Sequence, residues 1–175
     1  VQHLFTEEEA GAVRHLGLAR GMSAAQVARS ERRPVEQVEP ILWRLADQKF
    51  LIAASGPVRN RRYRLLPLMP GMFEMALIGQ DPQNLSPWHR RAAELFERLY
   101  DTGYIVDYPR NGTTPFVRYL PVGKAIAAHP MALPTDKLEI VLDAFKVFGV
   151  GHCQCRMSAR VVGRGCGKPT LNCLV

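Results

Sequence analysis

Hydrophobic positions in the first third of the chain recur at helical spacing, and capping residues mark where each run begins. Thr6 followed by Glu9 forms a capping box, and Glu7 to Glu9 complement the positive end of a helix that the pattern extends to about Leu18. Gly21 interrupts it. Ser23 and Gln26 form a second capping box and open a short helix to about Ser30. Between Pro34 and Lys49, Val35, Val38, Ile41, Leu42 and Leu45 fall on one stripe of a third helix. Pro40 is tolerated there only if regular helix starts at about Glu36 or later, because first-turn N–H groups have no internal partners. Phe50 to Ala54 and Arg62 to Leu66 then read as a hairpin around Gly56-Pro57. Three helices and a hairpin predict a winged helix over residues 1–67.

Residues 68–150 read as a mixed α/β scaffold, and the fold class expected is α+β. Ser86, Pro87 and Trp88 provide cap, first-turn proline and anchor for a helix to about Thr102. Its apolar positions Trp88, Leu95, Phe96 and Leu99 read as core. Arg110 to Pro115 is turn-rich, Phe116 to Leu120 has strand character, and Thr135 caps a last helix from Asp136 to about Phe148. The end of that helix leads through Gly149-Val150-Gly151 into the final segment, residues 151–175. The carboxylates Glu7 to Glu9, and Glu94 with Glu97, are expected on solvated helix faces. No apolar run approaches the roughly 20 residues of a membrane span.

All four cysteines lie in that final segment, as Cys153, Cys155, Cys166 and Cys173, spaced C-x-C-x10-C-x6-C. Disulfides suit oxidising compartments and chains short of core, whereas this one has 175 residues, 47% of them hydrophobic. A Cys153–Cys155 bridge would also close a strained loop. Nothing at the N-terminus reads as a signal peptide, so a reducing cytoplasm is expected. Four thiolates suffice for a metal centre. Zinc knuckles usually pair cysteines two to four residues apart, and only one close pair exists here. Arg156, Arg160, Arg164 and Lys168 suit a zinc tetrathiolate and a [4Fe–4S] cluster alike, since each carries a charge of −2. Gly163, Gly165 and Gly167 around Cys166 are expected to take positive φ and turn N–H groups toward sulfur.

CQCR, GCGKP and CL together resemble the C-x-C-R…G-C-x-x-P…C-L motif of a group of bacterial winged-helix/iron–sulfur proteins. LPLMPGMFE (Leu66 to Glu74) resembles the P-x-x-x-G-x-F-E passage of that group, and RYLPVGKAI (Arg118 to Ile126) its R-x-x-P-V passage. The resemblance implies a [4Fe–4S] cluster on Cys153, Cys155, Cys166 and Cys173, with Arg156, Gly165, Gly167 and Lys168 around it. Members often continue into a ferredoxin-like domain with two further clusters.

The resulting expectation is a non-enzymatic electron-transfer protein whose winged helix docks a redox partner. No C-x-x-C-H, H-E-x-x-H or G-x-S-x-G motif occurs, and the histidines are scattered. DNA is the competing partner. The net charge of +7 and the wing residues Arg59, Arg61, Arg62 and Arg64 favour it, but Glu36 and Glu39 in the third helix would repel phosphate. A redox- or iron–sulfur-sensing transcriptional regulator is therefore the alternative, and a structural zinc protein the second.

Overall fold

A computed structural model describes residues 2–104 and 138–174. It divides into two compact units, one of residues 1–97 and 151–173, the other of residues 98–150 with 174–175.

The first unit begins with three helices, α1 (Glu7–Val13), α2 (Ala24–Glu31) and α3 (Val35–Asp47). Both expected capping boxes are present, Thr6 with Glu9 and Ser23 with Gln26. α1 ends five residues before Leu18. Beyond it the Leu16 N–H turns back to the Val13 carbonyl at 2.9 Å, and the Gly17 carbonyl accepts the Leu65 N–H at 3.0 Å. α3 starts at Val35, one residue earlier than Pro40 was expected to allow. Pro40 cannot donate to the Glu36 carbonyl, but both residues are exposed and water can serve that oxygen. Of the expected stripe, Val38, Ile41, Leu42 and Leu45 are buried and Val35 is half-buried.

The hairpin is β1 (Ile52–Ser55) and β2 (Arg62–Leu65), antiparallel with Ile52 opposite Leu65 and Ser55 opposite Arg62. Gly56, at φ +84°, opens the turn. Met22 extends the sheet on the other side of β2 through paired 2.8 Å bonds with Tyr63. The result is α+β and winged-helix-like. Its core gathers Val27, Val38, Leu42, Leu45, Leu51 and Tyr63.

Two carboxylates expected on solvated faces are buried instead. Glu9 is 1% exposed and binds Lys49 Nζ at 2.7 Å and Arg44 Nε at 3.2 Å, so ion pairing offsets the cost of burying it. Glu97 is 8% exposed and is likewise partnered. It lies on α5 (Pro87–Asp101), one helical turn beyond the buried Ala93 and next to Phe96. Ser86 caps α5, with its Oγ accepting the His89 N–H at 3.3 Å. Of the four apolar positions expected as core on this helix, Phe96 is buried, whereas Trp88, Leu95 and Leu99 are half-buried.

A short helix, α4 (Phe73–Ile78), precedes α5 and is absent from the expected elements. Phe73 is fully buried and meets Phe96 ring to ring at 4.1 Å. In the second unit, α6 (Leu138–Asp143) stops five residues short of Phe148. The expected Arg110 to Pro115 turn, the Phe116 to Leu120 strand, the Arg118 to Ile126 passage and the Thr135 cap lie outside the described residues. The final segment is β3 (Val150–His152), α7 (Gln154–Val161) and β4 (Leu171–Leu174), with β3 and β4 paired. Of the four cysteines expected in one cluster loop, Cys166 alone lies in the loop between α7 and β4.

Candidate metal centre

Each cysteine occupies a different position in this β–α–β segment. Cys153 follows β3 and is the residue on which α7 starts. Its N–H donates to the Thr170 carbonyl at 2.7 Å, and its carbonyl accepts the Met157 N–H at 3.0 Å. Cys155 is exposed in the first turn of α7, Cys166 is exposed in the loop, and Cys173 is half-buried in β4. None forms a disulfide.

α7 is anchored by Met157 and Ser158, both essentially without solvent exposure, and it packs against α4. Ser158 Oγ donates to Glu97 Oε1 at 2.5 Å, and Arg164 Nη2 donates to Glu97 Oε2 at 2.7 Å. One buried carboxylate therefore holds both the helix bearing Cys155 and the start of the loop bearing Cys166. At the other end of the segment, His152 Nδ1 and Thr170 Oγ1 lie 2.9 Å apart. A Cβ on Gly151 would stand 3.0 Å from the Ile78 carbonyl oxygen and closer still to its side chain, so β3 lies directly on α4.

The loop thiol has a distinct electrostatic setting. The Lys168 N–H is the largest influence on Cys166; burial opposes it, while Arg156, the residue's own N–H and Arg160 reinforce it. Together they hold the thiol below its ordinary pKa. Arg156 Nη1 donates to the Pro169 carbonyl at 2.6 Å, and Arg160 Nη2 donates to the Lys168 carbonyl, so both cations also brace the loop. Gly163 and Gly167 take the expected positive φ, +76° and +69°. Gly165 does not. Its role is close approach, because a Cβ there would meet Arg160 Cγ at 2.7 Å.

Cys173 differs. Burial first, then the neighbouring Cys153 and Glu74, push its thiol up. The structure thus brings Cys153 and Cys173 into one electrostatic neighbourhood and places Cys166 in another, with Arg156 and Arg160. No family model, curated protein or solved structure matches this chain.

The donor chemistry fits a thiolate-held centre, but the positions do not close one. Among the described residues, no three His, Cys, Asp or Glu side chains converge where they could hold a metal ion. The other expected neighbours stand close to Cys166: Arg156 by charge, Lys168 by its N–H, and Gly165 and Gly167 in sequence.

The wing residues separate into different environments. Arg61 pairs with Asp47 at 2.6 Å, and that hydrogen bond holds its pKa up. Arg59 is exposed in the turn, while Arg62 and Arg64 leave β2 on the face opposite buried Tyr63. Sequence reading missed Glu97 and Ser158. The available signal was the i, i+4 relation of Ala93 to Glu97, which places Glu97 on the apolar face of α5. Glu74, in the P-x-x-x-G-x-F-E passage, accepts the Gly71 N–H at 2.6 Å and also acts on Cys173, so this passage and the cysteine segment are neighbours.

Proposed function

We propose that Cys153, Cys155, Cys166 and Cys173 bind one [4Fe–4S] cluster and that the chain serves in electron transfer, its winged-helix-like part docking a redox partner. The observation that carries this reading is the concentration of all four thiols on one β–α–β segment, with the loop thiol held toward its anionic form by Arg156, Arg160 and the Lys168 N–H. When bound, such a cluster supplies one-electron storage.

The chain's own residues have defined tasks. Arg156 and Arg160 offset thiolate charge, backbone N–H groups solvate sulfur, and Glu97 fixes α7 through Ser158. A single zinc holds its sulfurs at about 2.3 Å from one point, which demands closely gathered thiols. A cluster takes each thiolate on a different iron.

No helix among the described residues is long and apolar enough to cross a membrane. Anaerobic purification with iron and zinc analysis tests the proposal. Iron with sulfide supports the cluster, whereas zinc alone gives the structural-zinc reading.

A further inference from the structure

The winged-helix-like part carries a basic groove. Six arginines of the first unit, Arg14, Arg33, Arg44, Arg61, Arg91 and Arg164, pair with a carboxylate, and the three in this groove are among those that do not within the described residues. The groove, of about 630 Å³, is lined by Arg20, Met22, Gln26, Ser55, Arg62 and Arg64 among others, and no lining residue is acidic. Arg62 Nη1 donates to the Gly21 carbonyl at 3.3 Å and to Gln26 Oε1 at 3.1 Å; Arg64 Nη1 donates to the Leu18 carbonyl at 3.4 Å. These acceptors are neutral. They orient the guanidinium groups without cancelling their charge, and among the described residues Arg20 has no ion pair.

We infer that this groove is the docking site for an extended acidic segment of a partner protein. This inference rests on the partner-docking reading above. Arg62 and Arg64 leave the same face of β2, roughly 6.6 Å apart along the strand. Alternate side chains of an extended peptide share that repeat, so carboxylates two residues apart meet successive guanidinium forks. Nucleic acid fits less well. The lining has no aromatic ring on which a base could stack.

The test uses anaerobically purified full chain, a labelled ten-residue polyglutamate peptide and a labelled oligothymidine, with binding followed by anisotropy at about 50 mM salt, where screening is weak. The triple variant R20Q/R62Q/R64Q should weaken peptide binding by about tenfold. R29Q/R32Q/R90Q, which removes the same charge from exposed sites outside the groove, should weaken it by less than about threefold. R20Q alone removes no described hydrogen bond and should weaken binding measurably with the fold intact. Equal losses in the two triple variants, tighter binding of oligothymidine, or no peptide binding would each overturn the inference. Iron measured on the same samples separates the two claims: iron without peptide binding removes the docking site alone, and absence of iron removes the cluster whatever the peptide does.

Discussion

Glu97 and Arg164 form a 2.7 Å ion pair that ties α5 to the loop carrying Cys166, while the second oxygen of the same carboxylate takes Ser158 of α7. The two contacts are unequal in energy. Arg164 is half exposed, so its pair contributes at most about 1 kcal/mol. Ser158 and Glu97 are buried, and leaving either unsatisfied costs about 1–3 kcal/mol.

Glu97→Ala should therefore lower unfolding free energy by about 2 kcal/mol, against less than about 1 kcal/mol for Arg164→Ala. Urea titration of both variants checks this. Equal losses would show that the exposed ion pair, not the buried hydrogen bond, anchors the segment.

Acid should weaken the three-helix core through Glu9. Burial pushes this carboxyl up, but the Lys49 hydrogen bond, the Thr6 N–H and the Lys49 and Arg44 charges outweigh it, leaving its pKa below 4.5. Because the folded value is the lower one, the stabilisation is fully present above about pH 4.5 and is lost as pH falls through the folded value. Glu9→Gln should cost on the order of 2–3 kcal/mol at neutral pH and flatten the loss of stability below pH 4.5. An unchanged acid limb in this variant would remove Glu9 as the responsible group.

Much of the first 67 residues was legible because capping boxes and apolar stripes are local signals. Thr6 with Glu9 and Ser23 with Gln26 both form as read. What escaped depends on tertiary partners. α1 stops at Val13, and the Gly17 carbonyl beyond it pairs with Leu65, far along the chain. Glu9 and Glu97 looked solvated because their cations and Ser158 are 35 to 67 residues away. The cysteine spacing offered a donor set, whereas the setting of Cys166 depends on Arg156 and Arg160 of α7, a helix that the glycine-rich reading did not anticipate.

Thiol reactivity should follow the electrostatics of the segment. In metal-free, reduced protein near neutral pH, Cys166 should be alkylated by iodoacetamide faster than Cys173, because the thiolate is the nucleophile. The ratio should shrink as pH rises past both pKa values. Peptide mapping of partly alkylated protein reads this directly, and faster modification of Cys173 would contradict the assignment.

Close packing of β3 on α4 makes Gly151 sensitive. Gly151→Ala should lose about 1–3 kcal/mol from overpacking against Ile78. Gly163→Ala meets no atom within 4 Å but is left-handed at φ +76°, so it should lose only about 1 kcal/mol. Thermal melts compare the two, and a smaller loss at Gly151 would show that β3 can move away from α4.

Iron and sulfide analysis of anaerobically purified chain tests the central claim most directly. About four irons and four sulfides per chain, with broad absorption at roughly 400 nm that disappears in Cys166→Ser, are expected for one cluster on these thiols. One zinc per chain with no iron, or iron content unaffected by replacing all four cysteines, would contradict it.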